Sequence, residues 1–173
     1  MNYFLIRRKT ADANGKIGQY IKLTNKIGVK LVGFNGCISQ EKLEKSLNWG
    51  KAIDEADWLN IVSKINLSPK CYGVYPVKFK GKFFAGIFMD HINGLSLNDF
   101  TKKGTFNSGS KIYLNRQGIV SDRGTLPIIK FLREKLNRIK INHKDIHGEN
   151  VLIDKNNKVW LIDFSSDYIK RKR

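Results

Sequence analysis

Three polar side chains near the carboxyl end of the sequence have the types and spacing needed for chemistry on a phosphate group. They are Asp145, Asn150 and Asp163, and an apolar strand hairpin separates the last from the other two. Phosphoryl transfer needs a carboxylate to orient the attacking hydroxyl, and oxygen ligands that hold Mg²⁺ against the nucleotide. Two acids and an amide meet both needs if the hairpin brings them together.

The surrounding residues resemble a known catalytic loop. His143-Lys144-Asp145, then Asn150, then Asp163-Phe164-Ser165 is similar to the H-R-D-L-x-x-x-N and D-F-G motifs of protein kinases. His147 resembles the variant H-x-D-x-H-x-x-N loop of aminoglycoside and choline kinases. The resemblance implies ATP and Mg²⁺, with Asp145 as catalytic base and Asn150 and Asp163 as metal ligands. It also implies that His143 braces the loop, whereas His147 either does the same or touches substrate.

The resemblance extends to two residues in the first third of the chain. Lys30, in Ile27-Gly28-Val29-Lys30, resembles the strand lysine that contacts the nucleotide phosphates in kinases. Glu55 resembles the helix glutamate that pairs with this lysine, and Glu41 and Glu44 are its rivals. Ordinary solvated charges are the alternative explanation for all of them.

Two further segments resemble the parts of a kinase that hold the nucleotide. Phe88 to Gly94 is similar to the linker between the two kinase lobes, which implies that the backbone at Met89, Asp90 and His91 contacts adenine. Met89 would then limit the depth of the pocket, although it is also a plain core candidate. Gly15 and Gly18 resemble a reduced form of the glycine-rich phosphate loop, a weak signal that often marks only a turn.

The hydrophobic pattern predicts an α+β fold of the protein-kinase-like type. We expect a small antiparallel N-lobe sheet with one main helix, and a truncated, mainly helical C-lobe that carries the catalytic hairpin. The predicted strands are 19–23, 27–32, 72–79, 83–89, 151–153 and 159–162, and the predicted helices are 40–47, 51–65 and 126–141.

The whole chain, 1–173, is predicted to be a single kinase-like domain. Its parts would be an N-lobe at 1–89, a hinge at 90–94, and a minimal C-lobe at 95–173 with an irregular insert at 101–124. Only eight residues follow Ser165, so the resemblance is to the minimal kinases of bacterial pathogens and phages. We expect the apolar face of the 126–141 helix to be less covered than in longer kinases. Our hypothesis is that a partner, self-association or the insert covers it.

The net charge of +17 favours acidic or phosphate-bearing partners. Nucleic acid stays open as a lesser alternative, because the basic residues form no stripe interleaved with aromatics. Two cysteines without CxxC spacing give no disulfide framework, and no apolar run has the length of a signal peptide or membrane span. We therefore expect a cytoplasmic protein, including one delivered into a host cell cytoplasm.

The function that the sequence favours is transfer of the ATP γ-phosphate to a Ser or Thr hydroxyl of a protein substrate. The first alternative is the same chemistry on a small molecule similar to an aminoglycoside, which His147 supports. The second is a kinase-like binding module, without catalysis, that docks an acidic activating partner.

Overall fold

A computed structural model describes residues 3–7, 13–14, 18–102, 125–165 and 168–171. The chain divides into two compact units. The first comprises Met1–Ile61 and Lys70–His91, and the second comprises Val62–Pro69 and Ile92–Arg173. The predicted single domain with its two lobes and hinge stays a prediction.

The first unit is built on a six-stranded sheet with the order β1-β5-β6-β4-β3-β2. Neighbouring strands run antiparallel, except that β1 runs parallel to β5. The strands are β1 (Phe4–Ile6), β2 (Ala13–Asn14), β3 (Gly18–Lys22), β4 (Ile27–Cys37), β5 (Cys71–Phe79) and β6 (Lys82–Asp90). Alternation of apolar residues along them gives one face of the sheet a continuous core, made by Ile21, Val29, Leu31, Val77, Phe79, Phe84 and Phe88.

The turn of the β5–β6 hairpin lies where the sequence predicts it. Lys80 and Gly81 both have positive φ angles, 50° and 78°. Two consecutive left-handed residues make the turn that matches the twist of paired strands. The hairpin therefore has a local cause, which explains why its bounds could be read from sequence.

Two helices follow β4 in the chain: α1 (Gln40–Glu44) and α2 (Leu47–Ser63). Ser39 caps α1 by accepting a hydrogen bond from the Lys42 amide. The second helix starts four residues earlier than predicted, because the Ser46 hydroxyl accepts from the Trp49 amide and nucleates the first turn.

The buried face of α2 carries small apolar residues as well as large ones. Ala52, Ala56, Leu59 and Val62 are buried, whereas Ile53 is largely exposed. These four residues are spaced four, three and three positions apart, so they lie on one face of the helix. The smaller alanines let the helix approach its neighbours, and this places Glu55, next to Ala56, in the interior.

The second unit combines helices and short strands. Its elements are β7 (Gly94–Ser96), α3 (Leu97–Lys102), α4 (Thr125–Arg138), β8 (Ile141–His143), β9 (Val151–Asp154), β10 (Val159–Leu161) and β11 (Ile169–Arg171). The strands form a three-stranded sheet, β10-β9-β7, and a two-stranded sheet, β11-β8. The predicted insert at 101–124 begins inside α3, and residues 103–124 lie outside the described residues.

Helix α4 is shorter than predicted, and its apolar stripe is buried. It ends at Arg138 because Lys140 takes a positive φ of 57°, and the chain enters β8 at Ile141. Ile128, Leu132 and Leu136 on its apolar stripe are at most 1% exposed. These three residues are therefore covered, and the hypothesis that a partner, self-association or the insert contributes to covering this helix stays a prediction.

Together the two units confirm the predicted α+β class. No helix in the described part of the chain has both the length and the apolar character needed to cross a membrane.

Candidate active site

His143 joins the two segments of the second unit that carry the predicted site. It ends β8, where its Nδ1 accepts a hydrogen bond from the Asp145 amide at 3.2 Å. Because Nδ1 accepts, a neutral ring carries its proton on Nε2, which donates to the backbone carbonyl of Asp163 at 3.0 Å. One imidazole thus fixes the backbone at both acids, as the resemblance implied for this histidine.

The neutral state of His143 follows from its surroundings. Burial lowers the pKa of His143 from its ordinary value, since desolvation disfavours the charged ring. The buried Phe164 ring packs against the imidazole edge-to-face, with centroids 5.3 Å apart. The ring is therefore held both by contact and by two hydrogen bonds that only the neutral form can make together.

Asn150 holds Asp145 directly. Its Nδ2 donates to the Asp145 backbone carbonyl at 3.0 Å and to Oδ2 of the carboxylate at 3.2 Å. Both acceptors are oxygens, so the amide orientation is fixed and Oδ1 is the atom left to bind a cation. Asn150 is itself buried. Its backbone amide donates a hydrogen bond to the His147 carbonyl and closes the loop.

Asp163 follows β10 in an uncommon backbone conformation. Its φ is 63°, in the left-handed region that Asp tolerates better than most residues. The preceding amide, of Ile162, donates to the Asn150 carbonyl at 2.9 Å. Asp145, Asn150 and Asp163 therefore belong to one hydrogen-bonded network, and such strained conformations often occur at functional sites.

His147 lies beside the Asp145 carboxylate, with its Nε2 3.6 Å from Oδ2. Both side chains are partly open to solvent, unlike His143. The Glu149 amide donates to Nδ1 of His147 at 3.3 Å, which orients the ring. This arrangement is compatible with contact to a bound substrate.

Gly148, in the same loop, packs tightly against the start of α3. The Asn98 amide donates to the Gly148 carbonyl at 3.2 Å. A Cβ at Gly148 would overlap the Asn98 side chain, so the loop needs a glycine for space rather than for its backbone angles.

Lys30 and Glu55 form an ion pair inside the first unit. Nζ of Lys30 donates to Oε1 and Oε2 of Glu55 at 2.7 and 2.9 Å. The side chains are only 16% and 5% exposed, so solvent screens the pair weakly. Glu55 is thus the one of the three candidate glutamates that contacts the lysine, whereas Glu41 pairs with Lys45 and Glu44 accepts from Gln40.

The segment predicted to contact adenine, Met89 to His91, lies at the end of β6. Met89 is buried, opposite Gly28 of β4. The amides of Asp90 and His91 already donate to the carbonyls of Lys70 and Lys26, at 3.0 and 2.8 Å. A base contacting this backbone would need groups other than these two amides.

The predicted glycine-rich loop is only partly described. Gly15 lies outside the described residues, and Gly18 begins β3 in register with Val32. A role for either in covering phosphates stays a prediction.

Comparison with known proteins supports the fold. No protein-family model matches the chain, and no curated protein matches its sequence. Among solved structures, the chain is similar to WbdD, which was crystallised with the kinase inhibitor LY294002. The TM-score is 0.56 at 17% identity, and the match covers 92% of this chain and 32% of the WbdD chain. The chain has a kinase-like fold.

The chain spans about a third of the WbdD chain that it matches. At 17% identity the likeness shows the kinase-like fold alone, and the residue roles stay predictions. No group of three or more His, Cys, Asp or Glu among the described residues could hold a metal ion. The predicted set of one amide and one carboxylate suits Mg²⁺ bound together with nucleotide phosphates, because Mg²⁺ commonly uses one or two carboxylates plus phosphate oxygens.

Two features of this kinase-like fold were missed by sequence reasoning. One is strand β11, which pairs with β8 and places Ile169 opposite His143. The other is Tyr20, whose hydroxyl hydrogen-bonds with the ring of His91. Each depends on a contact between residues far apart in the chain, which no local pattern signals.

Proposed function

We propose that this protein is an ATP-dependent phosphotransferase whose favoured acceptor is a Ser or Thr hydroxyl of a protein. The observation that carries the proposal is the hydrogen-bonded set His143, Asp145, Asn150 and Asp163 within a kinase-like fold. The buried Lys30–Glu55 pair supports it independently, since it gives the first unit a cation held in place.

The roles follow from the chemistry of each group. Asp145, with one carboxylate oxygen held by Asn150, orients the acceptor hydroxyl and takes its proton. A bond then forms from the hydroxyl oxygen to the γ-phosphorus, the bond to the β-phosphate oxygen breaks, and ADP leaves. Lys30, kept extended by Glu55, contacts the phosphates. Asn150 and Asp163 would hold Mg²⁺, which when bound neutralises charge on the triphosphate.

A second candidate is phosphorylation of a small alcohol. It is favoured by His147, whose ring lies 3.6 Å from the Asp145 carboxylate where an acceptor hydroxyl would approach. The two candidates share all the residues named above and differ only in the acceptor.

The test is transfer of label from γ-³²P-ATP with Mg²⁺ by the full chain. Asp145→Asn should lower the rate by about a hundredfold or more, because the base is lost. Glu149→Gln is the matched control, an exposed acid in the same loop, and should label at the wild-type rate. Equal labelling by Asp145→Asn and wild type would show that Asp145 is not the catalytic base.

The acceptor is decided by offering a mixed protein extract and, separately, a panel of alcohols that includes aminoglycosides and choline. Label on protein Ser or Thr alone supports the favoured function, and label on an alcohol alone supports the second candidate. Absence of transfer with retained ATP binding would favour a kinase-like binding module.

A further inference from the structure

Tyr20 lies on the sheet of the first unit between the two segments proposed to hold the nucleotide. The register of β3 and β4 places Tyr20 directly opposite Lys30, the proposed phosphate contact. Its hydroxyl reaches Nδ1 of His91 at 2.9 Å, at the end of the segment proposed to contact the base. The ring therefore runs from the phosphate end of the proposed site to the base end.

Gly28 makes room for this ring. Gly28 and Lys30 are two residues apart on β4 and therefore point to the same face of the sheet. A Cβ at Gly28 would overlap the hydroxyl end of the Tyr20 ring. Tyr20 on β3 thus fills the space beside Gly28 on β4, which has no side chain. The Tyr20 ring lies against the Gly28 backbone.

The rings of Tyr20 and His91 pack against each other in a stacked arrangement. Their planes differ by 24°, and their centroids are 6.0 Å apart. The hydrogen bond between the Tyr20 hydroxyl and the ring nitrogen joins the two rings at their edges. Both residues are half-buried, so each ring presents only part of its surface to a ligand.

We propose that the Tyr20 ring, held by His91 and seated on Gly28, is the platform on which the nucleotide base stacks. This rests on the proposed function and names a specificity residue for it. A base stacked here would have its ribose and phosphates directed along the strand register towards Lys30. The hydrogen bond orients the ring before the ligand arrives, so less side-chain entropy is lost on binding.

The platform favours an aromatic base over the phosphate chain alone. Stacking on an aromatic side chain contributes to affinity for any base, because every base has a π-face. Removing the ring should therefore weaken ATP binding while leaving a ligand without a base unaffected.

The experiment is calorimetric titration of the full chain, in Mg²⁺, with ATP and separately with inorganic tripolyphosphate. Tyr20→Leu keeps an apolar side chain over Gly28 without an aromatic face, and should raise the Kd for ATP about tenfold or more. The Kd for tripolyphosphate should stay within about twofold. Tyr20→Phe, which keeps the ring but loses the hydroxyl, should change the Kd for ATP by less than about threefold.

Tyr75→Ala is the control, since Tyr75 is an exposed tyrosine of the same sheet on β5 and should bind both ligands as wild type does. Unchanged or tighter ATP binding by Tyr20→Leu would overturn the platform. So would an equal loss for ATP and tripolyphosphate, because the ring would then act on the phosphates or the fold. Wild type that binds neither ligand would instead refute the proposed function, and the platform with it.

Discussion

Lys30 donates hydrogen bonds to both carboxylate oxygens of Glu55, and the two side chains are 16% and 5% exposed in the first unit. A charged pair in such surroundings is held in one geometry, because each charge would be costly to bury alone. The structure thus fixes the position of a lysine that would otherwise have a long, mobile side chain.

Glu55→Ala should strongly destabilise the protein, since it removes the carboxylate that pairs with the mostly buried Lys30 charge. The expected loss is about 3 kcal/mol in the free energy of unfolding. Urea denaturation of both proteins measures it. Glu41→Ala is the matched control, because Glu41 pairs with Lys45 on the exposed surface of α1 and should cost at most about 0.5 kcal/mol. Equal losses for the two variants would contradict a structural role for the buried pair.

Asp163→Ala should abolish the thermal stabilisation that ATP with Mg²⁺ gives the wild type. A ligand that binds only the folded state raises its stability, and the variant lacks one of the two proposed metal ligands. Thermal unfolding with ATP and Mg²⁺, with ATP and EDTA, and with neither, measures the effect. Asp154→Ala serves as the control, because Asp154 is not one of the two proposed metal ligands. Its carboxylate instead accepts hydrogen bonds from the Asn156 and Lys158 amides in the turn of the β9–β10 hairpin. A full ligand shift in Asp163→Ala would exclude Asp163 as a metal ligand.

Stability should fall as the pH is lowered through the usual range of histidine. Burial lowers the pKa of His143 in the folded state, so near and below its ordinary value of 6.5 the unfolded chain binds a proton that the folded chain does not. The free energy of unfolding then decreases with falling pH, by at most about 1.4 kcal/mol per pH unit from this residue. Urea denaturation at pH 7.5 and 5.5 measures it.

His143→Gln removes this titration and serves as the comparison. The difference between wild type and variant should shrink at pH 5.5, since the wild type alone loses stability through residue 143. A pH-independent difference would show that His143 does not stay neutral in the folded protein.

Gly148→Ala should destabilise the second unit, because its Cβ would overlap Asn98 at the start of α3. Overpacking of this kind costs about 1–3 kcal/mol. Gly50→Ala is the control with the opposite sign. No atom lies near its Cβ position within α2, and alanine favours a helix by about 0.5–1 kcal/mol over glycine. Urea denaturation compares the two, and equal stability of Gly148→Ala and wild type would contradict the tight contact.

The parts of the structure that sequence predicted well have local causes. The β9–β10 hairpin has bounds within one residue of the predicted ones at each end, because its apolar strands flank a turn in which Asn157 takes a φ of 59°. The pairing of Lys30 with Glu55 could be anticipated only through the resemblance, since Glu41 and Glu44 were equally plausible from charge alone.

The parts that sequence missed depend on distant contacts. Strands β8 and β11 have three residues each, and only their pairing, with Ile169 opposite His143, makes them strands. On α2, Ile53 is exposed while the less apolar Ala52 and Ala56 are buried, because the small alanines allow closer packing, and hydrophobicity alone does not signal this. The Tyr20 ring could not be placed without the β3–β4 register.

In the first unit Glu55 holds Lys30, and in the second unit His143 and Asn150 hold the acids, so each set is held by contacts inside its own unit. A substitution of Glu55 therefore removes none of the hydrogen bonds that hold the acids. A homologue in which only Glu55 is replaced would keep His143, Asp145, Asn150 and Asp163. Its sequence would then show which of the two sets of contacts was lost.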